Sequence, residues 1–256
     1  MRRSRGFTLI ELVMVIVLLA IVATVSVQFV SLSTRGALDL SARQQRALQA
    51  VVIGEQLSRS LREAFPLSVR VNGQCIEWLP LLAATNYSRR TRGPGFDRVD
   101  VVPFSDPPPA GSRAVIFGYG TGVSALYGNN NPGPVSTPVD TVADTTLTLT
   151  AAHRFSQQSP ERRLFAVGEP VSVCQSGRYL YRHTGYGRSE TQLAPPSAGR
   201  REVMSANLAG PVNFRFTPPS LLRAAVVEFT LTLQDYDTGS DETTTTIQEV
   251  QIRNVP

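Results

Sequence analysis

The chain is 256 residues long, 42% apolar and formally +5 at neutral pH. That length holds one large or two small domains with a sizeable core, and the composition excludes both a wholly disordered chain and a polytopic membrane protein. All 25 cationic residues are arginine. They are scattered, and pairs such as Arg89-Arg90 and Arg200-Arg201 sit among Ser, Thr and Gly as solvated loops, without the basic stripe and interleaved aromatics of a nucleic-acid binder.

Arg2, Arg3 and Arg5 precede an apolar run from Phe7 to about Val30, with nothing polar between Leu12 and Ala23. As a helix this run is about 36 Å long, enough to span a bilayer with some tilt. The arginines before it keep the N-terminus cytoplasmic, so that everything after about residue 32 is translocated. Glu11 does not fit a plain anchor. A carboxylate in lipid costs about 2.5–3.5 kcal/mol on insertion scales, so it implies a partner. The nearest candidate is a new amine on Phe7, created by a cut after the small residue Gly6. A secretory signal peptide and a simple single-span anchor are the competing readings. Against the first stand the length of the run, Glu11 and the lack of a convincing A-x-A site.

From residue 35 to 65 the chain turns polar but keeps a helical period: Ile53, Leu57, Leu61 and Phe65 recur every four residues, with Arg43, Arg46, Arg59, Arg62 and Glu63 off that stripe. Glu55 and Arg59 are spaced as a favourable ion pair. Pro66 stops the helix by excluding the α conformation at its neighbour. One helix over 7–65 follows, spanning at 7–30 and amphipathic at 35–65, with Gly36 and Gly54 as soft points where it can bend.

Beyond Pro66, in the region 66–256, strand patterns take over. Val69–Val71 and Cys75–Leu79 flank an Asn72-Gly73 turn. Residues 86–98, 103–112 and 128–138 read as Pro/Gly-rich loops. Ala114–Tyr119 and Thr145–Thr150 read as strands, and Arg163–Val167, Val171–Gln175 and Tyr179–His183 as a small meander turning at Ser176-Gly177. Residues 203–209 suit a short helical turn. Val227, Phe229, Leu231 and Leu233 alternate with polar residues in the clearest strand, paired with another over 244–253. The fold class is α+β: a long helix on antiparallel sheet.

Catalytic signatures are absent: the chain has no G-x-S-x-G, P-loop, H-E-x-x-H or C-x-x-C. It is not read as an enzyme, and no cofactor is expected. His153 and His183 suit structural roles. The glycines of 118–122 form a turn with no helical pattern after it, unlike a phosphate loop. Cys75 and Cys174 suit one disulfide in an oxidising compartment, worth roughly 4–5 kcal/mol in the chain-entropy model, or two separately buried thiols. Asp235, Asp237, Asp241 and Glu242 suit either a calcium site or, more simply, a solvated hairpin turn.

The run Gly6-Phe7-Thr8-Leu9-Ile10-Glu11 resembles the cleavage and methylation motif of type IV prepilins, and residues 1–6 resemble their short basic leader. The resemblance implies cleavage between Gly6 and Phe7 by an inner-membrane prepilin peptidase, then N-methylation of Phe7. It also implies that Glu11 neutralises the amine of a neighbouring subunit in a filament, and that the fold has the lollipop shape of pilins. Many major pilins carry a proline about two-thirds along the span, where this chain has Gln28.

Ser159–Phe165, Pro170–Cys174, Val226–Leu231 and Glu249–Pro256 are similar to segments of the O-type minor pilins of the mannose-sensitive haemagglutinin (MSHA) pilus, and more loosely to the J-type minor pseudopilins of type II secretion. That likeness, and a length beyond that of most major pilins, implies a minor pilin that primes or forms the tip region of an MSHA-like filament. Its partners would be other major and minor pilins and the inner-membrane assembly platform. It would start as a single-pass inner-membrane precursor with a periplasmic C-terminal domain and end in the pilus. A pseudopilin is the first alternative. The second is a pilus-borne adhesin, with the 128–138 loop and Tyr179, Tyr181 and Tyr186 as the places where a ligand would bind.

Overall fold

The computed structural model describes residues 8–89, 95–118, 120–220, 223–234, 236 and 241–252. Two compact units, Met1–Leu48 and Gln49–Pro256, divide within one helix, α1 (Leu9–Arg62).

In the first unit α1 runs without a break through Gln28 and Gly36. Its large apolar residues are exposed all round, from Leu9 to Leu32, and the helix is long and apolar enough to cross a membrane. Thr24 and Thr34 return their hydroxyls to backbone carbonyls one turn back (Ala20 and Ile21; Val30), so these groups need no water.

In the second unit the last turns of α1 bury Ala50, Ile53, Leu57 and Leu61, the stripe that the four-residue spacing predicts. Gly54 is buried on the same side, where the side chain of Gln248 comes so close that a Cβ would lie 2.5 Å from its Nε2. Ser58 donates to Gln248 Oε1 at 2.8 Å. The glycine therefore marks a close approach and not a bend. The helix ends at Arg62, three residues before the expected stop, because a strand-like pairing captures the chain: Phe65 N–H donates to Leu79 O and Leu81 N–H to Glu63 O, each at 2.8 Å. Phe65 thus leaves the helical stripe and packs with Phe117 and Phe165, ring centroids 5.3–5.6 Å apart. Glu55 meets Arg62 at 3.8 Å, two turns on, where Arg59 was expected.

Among the described residues the strands pair antiparallel, as expected of an α+β fold, and form three sheets. After a 3₁₀ turn (Pro66–Ser68) come β1 (Arg70–Asn72) and β2 (Cys75–Trp78), joined through Gly73 at φ +57°. Six strands then close a barrel: β3 (Leu81–Arg89), β4 (Phe96–Val101), β5 (Arg113–Val115), β6 (Val135–Ala143), β7 (Thr146–His153) and β8 (Arg163–Val167), in spatial order β3-β4-β7-β6-β5-β8. A five-residue helix, α2 (Val123–Tyr127), lies between β5 and β6. The chain returns as β9 (Val171–Ser176), β10 (Tyr179–Thr184) and β11 (Arg200–Ser205), which complete a five-stranded sheet β1-β2-β9-β10-β11. Last come β12 (Asn213–Thr217), β13 (Ala225–Gln234) and β14 (Thr243–Ile252) in a three-stranded sheet. The barrel is thus one continuous stretch of chain inserted between neighbouring strands β2 and β9.

Several loop assignments are corrected by this topology. β3 and β4 occupy much of 86–98, and β6 begins within 128–138. Their outward residues are polar and their inward ones sparse, since a small barrel has room for few side chains, so the alternation is weak. β8 pairs with β3 and β5 in the barrel instead of joining β9 in a meander. Residues 203–205 belong to β11, a polar edge strand, and not to a helical turn. The closing hairpin is as expected: Val227, Phe229, Leu231 and Leu233 are fully buried, with Val250 and Ile252 opposite on β14. Together with α1 and the inner face of the five-stranded sheet, they form the main core. A second cluster fills the barrel around Tyr87, Ile116 and Leu164. A third, around Phe65, Tyr127 and Phe165, lies on the other face of β5 and β8.

Candidate functional site

Gly6 and Phe7 lie outside the described residues. The description begins at Thr8, whose carbonyl accepts from the N–H groups of Glu11 and Leu12 at 3.1 and 3.2 Å. Its hydroxyl sits 3.4 Å from the Glu11 nitrogen. Thr8-x-x-Glu11 therefore has the spacing of a capping box, and the Glu11 carboxylate lies in the first turn, where the helix dipole favours negative charge. That effect is worth a few tenths to about 1 kcal/mol, less than the cost of a carboxylate in lipid. The cap therefore does not remove the need for a positive partner. Glu11 has none among the described residues, and it is the one charged residue from Thr8 to Thr34.

In the globular unit, polar chemistry concentrates on the outer face of the five-stranded sheet. Cys75 and Cys174 stand opposite each other on β2 and β9 and are joined as a disulfide. Next to them Glu77 is buried and takes the Arg70 guanidinium at 2.5 Å. Arg70 spends its other donors on the carbonyls of Ser189 and Glu190, both at 2.7 Å, and lies 3.6 Å from the centroid of the Tyr127 ring. Tyr186 donates to Glu77 at 2.7 Å and meets Ser172 at 2.6 Å. Burial, then the Glu77 charge, pushes the Tyr186 and Tyr127 hydroxyls far above their usual range, so both remain donors. Arg188 is lowered to about 10 by burial and still carries its charge, donating to the Leu126 carbonyl. These bonds tie the β10–β11 connection, residues 185–199, across the sheet. The Glu77 carboxylate is shared between Arg70 and Tyr186. Sequence reasoning missed this network, although Glu77 between Ile76 and Trp78 is a charge where a buried strand should have none.

The other candidates serve the fold. His153 is buried and its Nε2 donates to Gly133 O at 3.1 Å. Burial first, with the charge of Arg113 adding, lowers its pKa below the ordinary 6.5, against the Gly133 hydrogen bond. Asn131 donates to Ala152 O and accepts from the Arg154 N–H, and Asn130 donates to Glu190, so these two amides of the 128–134 loop are used internally. Gly118 and Thr121 bond each other across their turn. α2 does follow this turn, contrary to the sequence expectation, but it is a single turn and a half. Of the acidic loop, Asp235 and Asp237 lie outside the described residues, while Asp241 and Glu242 are exposed. Among the described residues no group of three His, Cys, Asp or Glu could hold a metal.

Residues 1–27 match the family model of the prokaryotic N-terminal methylation motif. The N-terminus is that of a type IV prepilin-like protein. No curated protein and no solved structure matches the chain. The prepilin motif belongs to structural subunits of pilin or pseudopilin type, not to an enzyme family, and such subunits assemble with one another after processing by a prepilin peptidase. With an apolar helix able to span a bilayer directly behind it, the motif fits a membrane-anchored precursor.

Proposed function

We propose that this prepilin is a minor subunit of an MSHA-like type IV filament, priming the filament or forming its tip region below the topmost position. The peptidase cuts between Gly6 and Phe7 from the cytoplasmic side of the inner membrane, Phe7 is N-methylated, and the C-terminal unit lies in the periplasm until assembly. The observation that carries this is the lone Glu11 carboxylate, placed five residues after the cut on a helix that is otherwise uncharged to Thr34. The amine of a neighbouring Phe7 supplies the missing positive charge. A subunit at the very top would have no neighbour above to neutralise.

Glu11→Ala tests this directly. Mass spectrometry of the mutant should still find the shortened, methylated chain, while sheared filaments should lack it. Normal incorporation of the mutant would sink the proposal. The motif serves type II secretion pseudopilins equally, and deletion of the gene separates the two. Loss of surface pili supports the pilus role, and retention of secreted enzymes inside the cell supports the pseudopilin role.

A further inference from the structure

The outer face of β10 carries an aromatic ladder. Tyr179, Tyr181 and His183 occupy alternate positions and so share one side of the sheet. The two tyrosine rings stack with centroids 5.7 Å apart and planes 24° apart, and His183 meets Tyr181 edge-on at 6.2 Å. Arg201 pairs with His183 in the β10–β11 register and sets its guanidinium 4.8 Å from the Tyr181 centroid. Tyr186, by contrast, is consumed by Glu77 and Ser172. Over the ladder lies the end of the 185–199 connection. Between them is a cavity of about 280 Å³, lined among others by Ser176, Tyr181, His183, Pro195, Pro196 and Arg201.

Two of these groups are unspent. His183 is only 5% exposed, yet its ring makes no hydrogen bond to any described residue. The nitrogens of that ring are not sealed from solvent, so they can exchange hydrogen bonds with whatever fills the cavity. Arg201, exposed on the edge strand β11, has no carboxylate within reach among the described residues; the neighbouring Glu202 faces Arg200, at 3.7 Å. A guanidinium without a carboxylate is a fork of donors shaped for a planar anion. The cavity also offers a serine hydroxyl and the apolar flanks of two prolines and a tyrosine.

We propose that this cavity is a binding site for an acidic monosaccharide unit of the uronic-acid kind. Arg201 takes the sugar carboxylate through paired N–H donors. His183 and Ser176 exchange hydrogen bonds with ring hydroxyls, and the C–H face of the sugar packs on Pro195 and Pro196. The floor is held rigid because Cys174, which also lines the cavity, is joined to Cys75. Such a site goes beyond the filament role and does not depend on it.

Saturation-transfer NMR and calorimetry on the full-length chain in detergent micelles test the site, with glucuronate as probe and glucose, acetate and inorganic phosphate as comparators. Glucuronate should bind saturably, with glucose at least about tenfold weaker, as expected for loss of a charge-assisted pair. Arg201→Gln should weaken glucuronate by about the same factor. His183→Asn should weaken it less, and Arg200→Gln, beside the site, should leave it unchanged. Unaltered melting temperatures would show that the variants fold. Absence of saturable glucuronate binding, or wild-type affinity in Arg201→Gln, would overturn the proposal. So would acetate or phosphate competing as well as glucuronate, which would reduce the site to a generic anion hole. None of these outcomes bears on Glu11 or on assembly.

Discussion

Two stretches of the same helix meet opposite fates. Residues 9–32 are apolar on every side and expose nearly all of it; Phe29 is 70% accessible and Leu18 62%. Residues 50–61 mix apolar and polar residues and bury one stripe completely, Leu57 and Leu61 among it. The first stretch is long and apolar enough to cross a membrane, and under the proposed function lipid and then the like helices of neighbouring subunits would cover it. The second is a conventional amphipathic helix paid for by its own sheet. A prepilin-like chain thus separates folding from assembly along one rod, and each can be perturbed without the other.

The largest separation should come from the disulfide. Replacing Cys75 and Cys174 together by serine should cost the globular unit roughly 4–5 kcal/mol if chain entropy governs. Denaturant unfolding followed by Trp78 fluorescence would read this, and helicity of the spanning stretch in micelles should not change. Next, Leu57→Ala should cost about 2–5 kcal/mol by emptying a sealed position. Leu18→Ala, in the exposed stretch, should leave the same unfolding midpoint in place. A shift of the midpoint by Leu18→Ala would break the comparison.

A smaller effect follows from His153. Its folded pKa is depressed, so its contribution to stability is fully present above the ordinary 6.5 and is lost as pH falls below that value toward the folded one. Thermal unfolding should therefore weaken with acidification in that window. His153→Asn should flatten the profile there while leaving the spanning stretch indifferent. Least of all, a double-mutant cycle on Glu55 and Arg62, both more than half exposed, should return under about 1 kcal/mol.

Local features were legible in the sequence and long-range pairings were not. The four-residue spacing of Ile53, Leu57 and Leu61 and the alternation from Val227 to Leu233 each carry one buried face, and a face is all that periodicity encodes. Partner choice is a different matter. Nothing in Arg163–Val167 says that it pairs with β3 and β5 instead of the adjacent β9, because both faces of β8 are buried and the run is almost uniformly apolar. Phe65 continued the helical spacing yet left the helix, since a backbone bond to Leu79 outweighed one more turn. Glu77 and Arg70 were hidden for a similar reason: a buried ion pair is visible only once two strands and a crossing loop bring it together. At the N-terminus, by contrast, one continuous stretch, residues 1–27, carried the signal.

The insertion of the barrel has a consequence for how such a chain can vary. The polypeptide leaves the five-stranded sheet after Trp78 and re-enters at Val171, its direct opposite on the neighbouring strand. Topologically, then, ninety-odd residues occupy the place of a hairpin loop, and the half-cystines clamp its two ends. The loop's contents can be enlarged, shortened or exchanged without rethreading any strand outside it, provided that Phe65 and Leu79 keep an apolar cover. A filament built from subunits of this plan could change what it displays while the rods inside it stay the same.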